Sequence, residues 1–169
     1  GSTDSDVFDI TQEDAIVEYT GHLFQATAVN SNIATVELSA NIQDITITNP
    51  DPLAGDIRNA TVKFVDRDGG VDISPWIPVV DLFDPSDPTT GTVSWDWDVD
   101  LGNLTSKSFT VGIVVGNYYT RDASEDNVVV TVYKPVGDFI TGGGFILPDN
   151  SAGQYASTDG LKTNFGYNV

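Results

Sequence analysis

The chain has 169 residues, enough for one β domain of ordinary size and an appendage, and 40% of them are hydrophobic, enough for a packed core. Its 25 acidic residues against 7 basic ones, net −18, argue against nucleic acid and anionic membrane surfaces, both of which need basic patches. With no Cys there is no disulfide framework, thiolate metal site or cysteine nucleophile, and no apolar run approaches the ~20 residues of a membrane helix.

Residues 1–13 are acidic and turn-forming and read as a linker. Ala15 to Thr20 alternates as a strand, and Gly21-His22 makes a turn. Phe24, Ala26 and Ala28 then share a strand face, and Val36, Leu38, Ala40 and Ile42 give the next strand a buried side, with Ile45 and Ile47 extending it. Asn49 to Gly55 is a loop by its Pro, Asp and Gly content. Arg58 to Val65 is a strand with Ala60, Val62 and Phe64 inward, closed by the turn at Asp66 to Gly70. Val71 to Leu82 carries Pro75 and Pro78, which cannot donate to a ladder, so it predicts an edge strand or a lip between sheets.

From Gly91 to Pro135 three period-2 runs follow one another. They centre on Val93, Trp95, Trp97 and Val99, then on Phe109, Val111, Ile113 and Val115, then on Val128, Val130 and Val132. Short links between them suggest an antiparallel meander. About eight strands at intervals of roughly ten residues, with no helical period, predict an antiparallel β-sandwich over 14–136. Residues 137–169 hold Gly142-Gly143-Gly144, and Asn164 to Val169 reads as a strand. This stretch predicts a Gly-rich β appendage or the start of a following domain. Gly1-Ser2 and the end at Val169 suggest a piece cut from a longer protein.

Three segments carry a resemblance: DIRNATVKF (56–64), SFTVGIVVGNYYT (108–120) and VTVYKPVGDFITGGGFI (130–146). The chain resembles immunoglobulin-like modules of very large secreted or surface-attached bacterial proteins, in which a GDIRNATV strand is followed by GDFITGGG. The part from Phe139 onward is similar to the opening of a small β domain that often ends such proteins. The resemblance implies an immunoglobulin-like sandwich and an extracellular location. It brings no catalytic residues.

Aspartate density is the leading chemical signal. Asp96, Asp98 and Asp100 project from one strand face about 7 Å apart. Like charges so close repel, and a Ca²⁺ with oxygen ligands would relieve them, using loop carboxylates from Asp66, Asp68 and Asp72 or from Asp81, Asp84 and Asp87. The bland alternative is a solvated acidic face with Lys63 or Lys107 opposite. The run from Asp66 to Asp72 begins like a calcium loop but breaks the EF-hand pattern at Val71 and Ile77, so a hairpin turn competes with a site. Asp6, Asp9 and Asp138 near the linkers, with Asp122, Glu125 and Asp126, suit a junctional Ca²⁺ between tandem modules.

Trp95 and Trp97 share the inward face of their strand, which predicts core packing. Trp76, between two prolines, is the one candidate for an exposed sugar platform, with Asp84 in a nearby loop. His22 is the only histidine and sits in a turn, and no pair of acids stands out as a catalytic pair. The sequence thus predicts a non-catalytic extracellular structural or adhesive module, stabilised by Ca²⁺ and partnered by neighbouring domains of its own polypeptide. A polysaccharide-binding module is the rival, and a unit assembling by strand addition is a further alternative. A ligand of either kind, polysaccharide or protein, is compatible with this composition.

Overall fold

The structure, a computed structural model, describes residues 12–45, 55–135, 141–148, 151–153, 160 and 162–168. Its strands in chain order are β1 (Glu13–Tyr19), β2 (Phe24–Ala26), β3 (Ile33–Asp44), β4 (Ala60–Asp66), β5 (Val71–Asp72), β6 (Ile77–Pro78) and β7 (Asp81–Asp84). They continue with β8 (Asp87–Asp100), β9 (Ser106–Asn117), β10 (Tyr119–Thr120), β11 (Val128–Tyr133), β12 (Thr141–Ile146) and β13 (Thr163–Asn168). The first sheet runs β10-β1-β3-β8-β7 and the second β2-β11-β9-β4-β5, with β6 also on β4. All pairings are antiparallel except β1 with β10 and β2 with β11. The fold is an all-β sandwich.

Period-2 alternation builds its interior. Val36, Leu38, Ala40 and Ile42 of β3 point inward, as do Val62 and Phe64 of β4, Val111 and Ile113 of β9, and Val130 and Val132 of β11. Trp95 and Trp97 of β8 are half-buried against this cluster, and Trp97 meets Phe109 of β9 edge-on at 4.8 Å. Aromatic rings prefer that geometry, and here it joins the two sheets.

The expected meander is corrected. β8 pairs with β3 and β7, whereas β9 pairs with β4 and β11, so the first two runs lie in different sheets. Periodicity tells which side of a strand is apolar but not which apolar side it covers. Stacking β8 over β9 buries Trp97 on Phe109, and buried Leu101 lines the crossing. Only β9 and β11 pair as neighbours.

Smaller differences have local causes. The strand expected from Arg58 starts at Ala60, because Asp56 caps a 3₁₀ turn over Ile57–Asn59 by accepting from the Arg58 amide. In β2 the ring of Phe24 points outward, 60% exposed, while Leu23 packs on the core and Thr27 is buried. β3 ends at Asp44, one residue short of Ile45, and Ile47 lies outside the described residues. The proline-bearing stretch is indeed a lip: β5 and β6 lie on the second sheet and β7 on the first. Gly21 lets the chain change sheets between β1 and β2. A Cβ there would sit 2.5 Å from the Ser39 amide nitrogen and 2.6 Å from the Glu37 carbonyl oxygen, so no other residue fits without displacing β3. Near the C-terminus, β12 and β13 form an antiparallel ribbon containing all three glycines of 142–144.

Candidate functional site

The strands of the sandwich carry their net charge on one sheet. The strands of the first sheet contain no Lys, Arg or His, whereas their outward positions include Asp14, Glu18, Glu37, Asp81, Asp96, Asp98 and Asp100. Lys63 and Lys107, the cations expected opposite the β8 aspartates, belong to β4 and β9 of the second sheet. The acidic row is left to neighbours of its own sheet. Asp96 lies directly across from Glu37 in the β3–β8 register, a like-charge pair. Asp98 accepts from the Thr35 hydroxyl at 2.6 Å, and Asp100 accepts from the Gly102 amide at 2.8 Å, closing the turn after β8.

The other expected calcium ligands are engaged locally. Asp66, nearly buried, accepts from the amides of Asp68 and Gly69 at 3.0 and 3.1 Å, so it folds its own turn. Asp68 accepts from the Thr110 amide at 2.7 Å, and Asp72 pairs with Lys63 at 2.9 Å. These three carboxylates therefore do the work of a hairpin turn. Asp84 accepts from the amide and hydroxyl of Ser86, which hold its carboxyl below the usual range. Asp87 accepts from the amide and hydroxyl of Thr89 at 2.9 and 2.6 Å. Asp122 pairs with Arg67, and Asp126 and Glu125 pair with Arg121. Asp6, Asp9 and Asp138 lie outside the described residues. Among the described residues no group of three or more acids or histidines stands ready to surround one metal ion.

That engagement yields a direct prediction. Asp66→Ala removes the acceptor of two amides and lowers the unfolding free energy by about 1–2 kcal/mol. Because the carboxylate serves the backbone, the loss in urea unfolding is equal in Ca²⁺ and in chelator. A loss confined to the Ca²⁺ samples would make the turn a metal loop after all.

One polar cluster was missed. Asp44, fully buried at the end of β3, accepts from the Tyr119 hydroxyl at 2.8 Å and from the Gly55 amide at 3.0 Å. Burial first, then the Asp44 carboxylate, holds the Tyr119 hydroxyl protonated well above the usual tyrosine range. A Cβ on residue 55 would meet that hydroxyl, which explains the glycine. The signal was the parity of β3, since residue 44 continues the inward series 36, 38, 40 and 42. Tyr19 is shifted up as well, by burial and by the nearby Glu37.

Trp76 lies on the outer face of the second sheet and Asp84 on the edge strand β7 of the first, so the two do not share a face. His22 sits at the sheet change, its carbonyl accepting from the Tyr19 hydroxyl at 2.8 Å. An open groove of about 650 Å³ separates β2 and β11 from the β12–β13 ribbon, walled by Phe24, Tyr133, Phe145, Phe165 and glycine backbone. Compared with models of protein families and with curated proteins, the chain returns no match to either.

Proposed function

We propose that the chain is a non-catalytic structural or adhesive module of a larger extracellular bacterial protein, secreted or held at the cell surface, with the sandwich as an immunoglobulin-like spacer. The observation that carries this reading is the one-sided charge. A sheet that turns acids outward and carries no base on any of its strands repels its copies and keeps a string of such units soluble and apart. The segments 56–64, 108–120 and 130–146, similar to modules of that kind, point the same way. The partners in this reading are neighbouring domains of the same polypeptide.

Ca²⁺ enters as the counter-charge of that face. The Asp96–Glu37 pair is its focus, because two carboxylates directly opposed across strands gain most from a divalent ion. At about 100 times Kd a bound ion adds about 2.7 kcal/mol, which moves the melting midpoint by several degrees in a domain of this size. The test melts the protein in CaCl₂ and in chelator at matched ionic strength, with Asp96→Asn alongside. A higher midpoint in Ca²⁺ that shrinks in the variant supports the reading. Equal midpoints in both buffers remove calcium from it.

A further inference from the structure

On the outer face of the second sheet, three side chains form a row. Gly112, Val114 and Gly116 of β9 face outward, opposite Val65, Lys63 and Thr61 of β4 respectively. Both glycines are roofed. The Arg67 guanidinium lies over Gly112, and the six-membered ring of Trp76 lies over Gly116, its Cη2 and Cζ3 about 3 Å from where a Cβ would stand. Between them Lys63 places its ammonium 4.9 Å from the centre of the Trp76 ring. The two glycines are four residues apart, about 13 Å along the strand.

Trp76 is the outermost layer of this row. It is 47% exposed, whereas the Lys63 side chain, whose ammonium lies over the ring, is only 19% exposed. It is also held on both flanks. Buried Ser74 accepts from the Phe64 amide at 2.9 Å and donates to the Pro75 carbonyl at 2.9 Å, while β6 begins at Ile77 and pairs with β4. A flat apolar ring fixed before any ligand arrives loses little freedom on binding.

The charges beside the ring are balanced. Lys63 pairs with Asp72, and Arg67 pairs with Asp122 and donates from Nε to the Asn127 side-chain oxygen at 3.3 Å. Each cation of the row is thus matched by a carboxylate, and the row is rich in donors and acceptors, on a chain of net charge −18. A polyanion is repelled by the whole molecule, and a polycation is drawn to the acidic face of the first sheet. What fits here is an uncharged chain of hydroxyls with flat apolar ring faces. We propose that Trp76, with the Lys63–Asp72 and Arg67–Asp122 pairs, forms a binding site for a neutral polysaccharide. One pyranose stacks on the indole and its neighbours hydrogen-bond along β4. This site does not depend on the calcium reading, since it uses the opposite sheet.

Affinity electrophoresis of the intact chain tests it, in native gels containing a soluble β-glucan, a mannan or a xylan, with alginate as the anionic arm. At least one neutral glycan retards the protein and alginate does not. Trp76→Ala weakens the retardation roughly tenfold or more, as expected for a central aromatic anchor, and Trp76→Phe, which keeps a flat ring, restores part of it. A second readout needs no alanine variant: the retarding glycan shifts the tryptophan fluorescence of the wild type, and the shift disappears in Trp76→Phe. No retardation by any neutral glycan, retardation unchanged in the variants, or retardation by alginate alone overturns the proposal.

Discussion

Replacing Phe64 by alanine lowers the unfolding free energy by about 3–5 kcal/mol, the range for an aromatic removed from a packed interior. Phe64 is fully buried, and β4 is held on both sides, by β9 along its length and by β5 and β6 at its free edge. The Phe64 carbonyl accepts from the amides of Ile73 and Ser74 at 2.9 and 3.2 Å, so the backbone cannot sink into the space left by the ring. The cavity stays open, and its cost adds to the lost burial. In thermal unfolding the midpoint falls by roughly 10 °C or more. Val129→Ala is the control, because that side chain stands 57% exposed on β11 and its loss stays within about 0.5 kcal/mol. A Phe64→Ala effect as small as the control would mean that the two inner faces do not meet at β4.

Tyr119→Phe carries the second large effect, about 2–3 kcal/mol at neutral pH. The variant keeps the ring but takes from Asp44 its hydroxyl donor, and hydrogen bonds to a buried charged group are the expensive ones to lose. The pH dependence follows from the direction of the shift. In the folded chain the Tyr119 hydroxyl titrates above its unfolded value, so its contribution is present in full below pH about 10 and is lost as pH rises beyond that. Phenylalanine has nothing to titrate. The stability gap between wild type and variant, measured by urea unfolding at stepped pH, therefore narrows above pH about 10. A gap that widens there would show that the hydroxyl ionises more readily in the folded state, contrary to its buried place beside Asp44.

The two variants also separate two kinds of legibility. Phe64 was readable as interior from ATVKF alone, because a β-branched and aromatic alternation has one apolar side. Asp44 sat at an equally readable parity, but the approach of Tyr119 from β10 and of the Gly55 amide, which help make a buried aspartate tolerable there, is visible only in the tertiary structure. The site residues divide in the same way. That Asp96, Asp98 and Asp100 face outward followed from the inward tryptophans. That they face Glu37, Thr35 and a turn amide, with both candidate lysines on the other sheet, did not.

Side-chain period is a property of one strand, and it determined the all-β class, most inward residues and the acidic character of one surface, while the missing proline amides marked the lip at Pro75 and Pro78. Sheet membership is a property of pairs far apart in the chain, settled by which apolar faces cover one another best. For that reason only the tertiary structure decided that β8 and β9 part company, that every base on a sandwich strand lies in the second sheet, and that the Trp76 ring closes over Gly116.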